Sequence, residues 1–149
     1  MSTTESIASW ADRAEAALVA AGRKRGGARR ALLELLERQR CALTAIQIER
    51  ELRDRDRGVS RASIYRILDE LEELGLTHRV DTGQAMVRYE RVRGADEHHH
   101  HLVCERCGAV TPFSDPALEL AISRLSERVP LTVSEHEIVL RGRCADCAA

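Results

Sequence analysis

Aromatic residues are scarce: one Trp, two Tyr and one Phe, 3% of the 149 residues. That excludes a core built on rings and a stacking platform for unpaired bases. No apolar run approaches the ~18 residues of a membrane span, so no membrane partner is expected. The N-terminus carries Glu5 and Asp12 and lacks the basic-then-apolar pattern of a secretory leader. A cytoplasmic location is therefore expected, where thiols stay reduced. There are no internal repeats, and low complexity is confined to one histidine run. No His-Glu-x-x-His motif is present, which removes the usual helix-borne signature of a zinc hydrolase. The net charge of -1 names no partner by itself.

What is present is unevenly distributed. Apolar residues reach 44%, enough for a packed core in one ordinary domain or two small ones. Through Arg93 there are 18 basic against 15 acidic side chains, and after it 5 against 9. A basic part followed by an acidic part fits a nucleic-acid module joined to something else.

Apolar spacing predicts a helix over 5–21, with Ile7, Trp10, Ala14, Leu18 and Ala21 on one side, Thr4 as N-cap and Gly22 as stop. The basic turn from Arg23 to Arg30 reads either as a solvated loop or as a phosphate clamp at a helix start. A second helix over 28–39 turns Leu32, Leu33, Leu35 and Leu36 inward. Thr44 caps a third over 45–56, with Ile46, Ile48 and Leu52 as its apolar side, broken by Gly58. Ser60 caps a fourth over 61–74 and Gly75 closes it. Its stripe of Ile64, Ile67, Leu68, Leu71 and Leu74 leaves Arg61, Tyr65, Arg66 and Asp69 elsewhere on the surface. The period then changes to two, with strands over 77–81 and 85–91 joined by the turn Asp81-Thr82-Gly83-Gln84. Helices followed by a hairpin make a winged helix-turn-helix, with the fourth helix reading DNA and the hairpin as the wing. Residues 93–97 are polar, carry a Gly and read as a hinge. Beyond them strands are expected over 100–104, 109–113 and 134–141, with a helix from Pro116 to about Arg128.

Cys104-x-x-Cys107 and Cys144-x-x-Cys147 carry the strongest chemical signal. Each pair spans one tight turn, and four thiolates suit tetrahedral Zn²⁺. The alternative is a redox pair, but no thioredoxin-like βαβ pattern surrounds either. Cys41 lies outside both motifs and reads as a small core residue. In a strand, alternate side chains point to opposite faces. His98 and His100 therefore share one face, and His99 and His101 the other. Two sites with two imidazoles each are more natural than one site with four; a solvated polar run is the bland alternative. Downstream donors are Glu119 and His136. Upstream donors are His78 and Glu90 in the wing, and a site joining them to the histidine run would let a metal set the angle between domains.

Together, the histidine run ending in Leu102-Val103-Cys104-x-x-Cys107-Gly108, the stretch Ser63-Ile64-Tyr65-Arg66 and the terminal Gly142-x-Cys144-x-x-Cys147 resemble the ferric uptake regulator family of metalloregulators. The resemblance covers roughly residues 10 to 147. It implies an N-terminal winged helix and a C-terminal dimerisation domain. It also implies a structural zinc site at Cys104, Cys107, Cys144 and Cys147, and a site within the dimerisation domain at His98, His100, Glu119 and His136. Glu90, His99 and His101 match an interdomain sensing site, to which His78 adds a wing ligand as in zinc-sensing relatives. Tyr65 and Arg66 match residues that contact DNA, and Arg29 matches an arginine ahead of the second helix. Two positions depart: Ala42 and Pro112 stand where the family often places a His and an acid.

The expectation is an α+β protein: a winged-helix DNA-binding domain over 1–92, a hinge over 93–97, and a small α/β dimerisation and metal-binding domain over 98–149 with a four-cysteine zinc site. It is expected to act without catalysis on a small-molecule substrate, as a homodimer that binds a double-stranded, inverted-repeat operator and represses metal-uptake genes. The DNA contacts expected are Tyr65, Arg66, Arg61, Arg29, Arg23, Lys24 and Arg25. Structural Zn²⁺ and a regulatory divalent ion are expected, with Zn²⁺ ahead of Fe²⁺ and Mn²⁺ the further candidate. A zinc-dependent hydrolase and a metal storage or chaperone protein are the rival readings.

Overall fold

A computed structural model describes residues 8–83, 85–94 and 97–148. The chain divides into two units, Met1–Val92 and Arg93–Ala149.

The first unit is built from α1 (Trp10–Ala20), α2 (Gly27–Arg38), β1 (Leu43–Thr44), α3 (Ala45–Asp54), α4 (Arg61–Glu73), β2 (Thr77–Asp81) and β3 (Val87–Arg91). Its core joins the apolar faces of the four helices: Leu18 from α1, Leu32, Leu33, Leu35 and Leu36 from α2, Ile48 and Leu52 from α3, and Ile64, Leu68 and Leu71 from α4 are all essentially inaccessible. Each such side chain contributes about 1.5–3 kcal/mol on burial. Thr44 caps α3 through a box with Gln47, and the Ser60 hydroxyl accepts from the Ser63 N–H at the start of α4. Gly22 and Gly75, at φ of +79° and +65°, turn the chain out of α1 and α4, which a side chain would oppose.

Several expected boundaries move. α1 begins at Trp10, capped by a reciprocal box between Ser9 and Asp12; Thr4 and Ile7 lie outside the described residues. Ile46 and Leu74 are exposed rather than inward, because α3 is already buried through Ile48 and Leu52 and Leu74 is the C-cap of α4. The third helix stops at Asp54, ahead of Asp56 at a positive φ of 58°, rather than at Gly58. In the hairpin turn, Asp81 Oδ1 accepts from the Gly83 N–H at 2.7 Å, and Gln84 lies outside the described residues. The strand expected from residue 85 begins at Val87, since Ala85 takes a φ of 56°. The sheet has three strands in the order β1-β3-β2, so Leu43–Thr44 adds an edge that periodicity did not reveal.

The second unit contains β4 (His100–Cys104), β5 (Val110–Phe113), α5 (Pro116–Ser126), β6 (Val139–Gly142) and α6 (Ala145–Ala148). The central strand β4 pairs antiparallel with β5 and parallel with β6. Asp115 caps α5 by accepting from the N–H groups of Ala117 and Leu118. The last strand is half the expected length: residues 134–138 are irregular, so His136 reaches its place from a loop rather than from a strand. None of the residues of α5 is buried, and Leu102 and Leu140, side by side in register on β4 and β6, are both exposed.

Candidate metal centres and nucleic-acid face

The four expected thiols converge. Their Sγ atoms all lie within 4.8 Å of one another, with Cys107 and Cys144 3.8 Å apart. A tetrahedron with metal–sulfur bonds of ~2.3 Å has edges of about 3.8 Å, so this spacing fits a tetrahedral ion. Local folding explains the convergence. Cys104 closes β4, and its N–H donates to the Ala109 carbonyl at 2.9 Å. Gly108, at φ +75°, bends the first knuckle back, and its N–H donates to the Cys104 carbonyl. Parallel pairing of β6 with β4 then brings the second knuckle alongside, and the Cys144 N–H donates to Cys104 Sγ at 3.4 Å. Backbone N–H groups of Cys107 and Cys144 pull the Cys104 thiol down to about 6. The neighbouring Cys144 sulfur pushes Cys147 up to about 12. Four sulfurs this close cannot all ionise without a cation among them, and their number and spacing could hold one.

A second group joins His98, His100, Glu119 and His136, again with donor atoms within 4.8 Å of one another. Glu119, in the first turn of α5, stands at its centre. Oε1 lies 2.6 Å from His100 Nε2, and Oε2 lies 2.9 Å from His136 Nε2. The Ile138 N–H donates to His100 Nδ1 at 3.2 Å, so Nε2 carries the ring proton and donates to Glu119. That hydrogen bond, with His136 beside it, holds the Glu119 carboxyl below the usual carboxylate range. Burial, then the neighbouring His100 and His136, hold His98 below the ordinary imidazole value. Three imidazoles around one carboxylate form a nitrogen and oxygen donor set for a divalent ion.

The residues expected for sensing fall in two pairs, one in each unit. In the first unit, His78 and Glu90 are register partners on β2 and β3, with Nε2 and Oε1 3.0 Å apart and Glu90 buried. In the second, the rings of His99 and His101 lie 5.0 Å apart, on the side of β4 away from His98 and His100. Two further donors were not read from the sequence. Glu137 Oε1 lies 3.3 Å from His101 Nδ1. Cys41 is half-buried rather than part of the core, with Sγ within 4.8 Å of a Glu90 carboxylate oxygen. Parallel pairing of β6 places Glu137 and the β1–β3 register places Cys41; the only cue in the sequence is that each is a donor-type residue, Glu137 within the expected last strand and Cys41 between two expected helices.

Tyr65 and Arg66 project from the first two turns of α4 and are exposed. Among the described residues Arg66 makes no ion pair. Three of the other expected arginines are engaged: Arg61 with Glu49 at 2.7 Å, Arg23 with Glu73 at 3.2 Å, and Arg29 with Glu70, the last pair mostly buried. Lys24 and Arg25 are exposed in the turn ahead of α2.

Residues 20–141 match the profile of the ferric uptake regulator family. The chain belongs to that family. The ferric uptake regulation protein of Neisseria gonorrhoeae is 34% identical over 131 residues, covering 86% of this chain and 88% of the relative. That of Helicobacter pylori is 27% identical over 147 residues, covering 99% and 97%. Among solved structures, the Helicobacter pylori ferric uptake regulator, described as having three functional metal binding sites, matches with a TM-score of 0.81 at 26% identity, covering 100% of this chain and 98% of that one. The Vibrio cholerae regulator matches with a TM-score of 0.75 at 28% identity, covering 87% and 98%. Members of the family are metal-binding transcription regulators with a winged-helix DNA-binding domain; they function as dimers and are not enzymes. The hydrolase and storage readings give way to that finding.

Proposed function

We propose that this protein is a metal-loaded homodimeric repressor of metal-uptake genes, with Zn²⁺ sensed ahead of Fe²⁺. The division of the histidine run across the two sides of β4 carries this reading. One side holds the group of His98, His100, Glu119 and His136; the other carries His99 and His101, with rings 5.0 Å apart, as a second pair of imidazoles. In the proposed regulatory site His78 and Glu90 of the wing join His99 and His101, with residues 93–97 as the hinge whose angle the ion sets. Structural Zn²⁺ at Cys104, Cys107, Cys144 and Cys147 holds the second unit together, where few side chains are buried and α5 buries none. The exposed Leu102, Leu120, Leu125 and Leu140 supply apolar surface for a two-fold dimer.

On the operator, α4 enters the major groove. Arg66 contacts guanine or phosphate and Tyr65 packs on a thymine methyl, with Arg61 alongside. Arg23, Lys24, Arg25 and Arg29 hold phosphate, which positions the protein without reading sequence. The regulatory ion need supply only ~1–3 kcal/mol of coupling between the metal and DNA sites. The test is operator affinity at fixed salt with and without Zn²⁺, Fe²⁺ or Mn²⁺. At least one ion should tighten binding severalfold or more, with Zn²⁺ effective at the lowest free concentration; no change with any ion sinks the sensor reading.

A further inference from the structure

The segment that leads into β1 carries a side chain that the proposed ligand set does not use. We propose that Cys41 is a thiolate donor to the regulatory ion, so that the site holds its metal through sulfur as well as imidazole and carboxylate. This rests on the regulatory site proposed above.

The argument starts from the sheet of the first unit. β1 pairs with the central strand β3 with Leu43 opposite Tyr89 and Thr44 opposite Arg88. The two residues ahead of Leu43 therefore run beside Glu90 and Arg91, and Cys41 Sγ comes within 4.8 Å of a Glu90 carboxylate oxygen. On the other side of β3, His78 Nε2 stands 3.0 Å from the same carboxylate. Glu90 is thus flanked by a thiol from one edge of the sheet and an imidazole from the other.

Glu90 is only 5% exposed. Burying a carboxylate is costly unless it is paired or ligates a cation. Cys41 lies outside the apolar cluster of its unit and keeps access to solvent, so the packing role of an inert cysteine does not account for it. Sulfur, nitrogen and carboxylate oxygen presented together by one small sheet form a donor set for a transition-metal ion. Thiolate is the soft member of that set and favours Zn²⁺ over Fe²⁺ and Mn²⁺, whose preference lies with nitrogen and oxygen donors.

Co²⁺ is the probe that separates this site from the others. In full-length protein with Cys104, Cys107, Cys144 and Cys147 filled by Zn²⁺, Co²⁺ bound at His98, His100, Glu119 and His136 meets no sulfur. Co²⁺ bound with Cys41 gives sulfur-to-metal charge-transfer absorption in the near ultraviolet. The expected result is that wild type shows this band, that Cys41→Ala abolishes it, and that Cys41→Ala weakens Zn²⁺ at the regulatory site by about tenfold or more. Thermal melting and retained zinc at the four cysteines check that the variant is folded. If wild type shows no such band, or if Cys41→Ala matches wild type in Zn²⁺ affinity while His101→Ala does not, Cys41 is not a ligand and the regulatory site stands without it. If neither Cys41→Ala nor His101→Ala alters metal binding or operator affinity, the regulatory reading fails and takes this proposal with it.

Discussion

His100 Nε2 stands 2.6 Å from Glu119 Oε1, with the imidazole fully buried and the carboxylate at the first turn of α5. The same carboxylate reaches His136, so one acid ties the central strand, the helix and the loop ahead of β6. Replacing it by an amide keeps the shape and removes the charge. Glu119→Gln is expected to weaken metal binding at this site about 10–100-fold while leaving zinc at the four cysteines in place. Calorimetric titration together with metal analysis reads both. Wild-type affinity in the variant would make Glu119 a hydrogen-bond partner of the histidines and not a ligand.

His98 gives the same site a pH signature. Burial and two neighbouring imidazoles depress its folded value below the unfolded one of ~6.5. Above ~6.5 the group is neutral in both states and adds no slope. As pH falls below ~6.5 the unfolded chain takes up the proton first, so the fold loses stability until the folded value is passed. In protein stripped of metal at this site, the melting temperature is expected to fall between about pH 7 and pH 5, and less steeply in His98→Gln. Parallel curves for the two proteins would place the acid sensitivity elsewhere.

The parts of this molecule that local rules decide were legible in its sequence. The α2 and α4 stripes, the Thr44 and Ser60 caps and the bounds of β2 and β4 all follow from spacing and capping chemistry within a few residues. The alternation that separates His98 and His100 from His99 and His101 is equally local. Elements that depend on distant partners were not legible. β1 is two residues long and exists because β3 pairs with it; the same pairing sets Cys41 beside Glu90. β6 is short because only Val139–Gly142 pairs in parallel with β4, which leaves Glu137 in a loop near His101. α1 starts at Trp10, five residues beyond the start that apolar spacing predicts, because Ser9 and Asp12 form a reciprocal capping box there.

The four-cysteine cluster makes a prediction about stability as well as binding. The second unit buries few apolar side chains, so closure of the two knuckles around an ion is a large part of what holds it. Cys144→Ser removes one of four sulfurs while keeping the backbone N–H that donates to Cys104 Sγ. Zinc affinity at this site is expected to drop more than about 100-fold, with a lower melting temperature for the second unit. Zinc content by elemental analysis and a thermal melt are the measurements. Unchanged values in both would mean that the sulfurs lie together without a shared ion.

Arg66 and Arg29 separate reading from holding. Arg66 is exposed on α4 and engaged with no carboxylate among the described residues, so its removal costs the fold little. Arg66→Ala is expected to weaken operator binding by about 1–3 kcal/mol and to relax specificity at one base pair, with the melting temperature unchanged. Arg29 is tied to Glu70 with both side chains mostly buried, and it also donates to the Lys24 carbonyl. Arg29→Ala is expected to cost about 1.5–3 kcal/mol of stability by removing the close partner of Glu70 and leaving it only the longer contact to Arg23 at 3.9 Å. Its effect on DNA should be the same for specific and random sequences, since a phosphate contact carries no sequence information. Binding curves on operator and random duplexes, run beside thermal melts, distinguish the two residues. Loss of stability in Arg66→Ala, or loss of specificity in Arg29→Ala, would reverse the assignment.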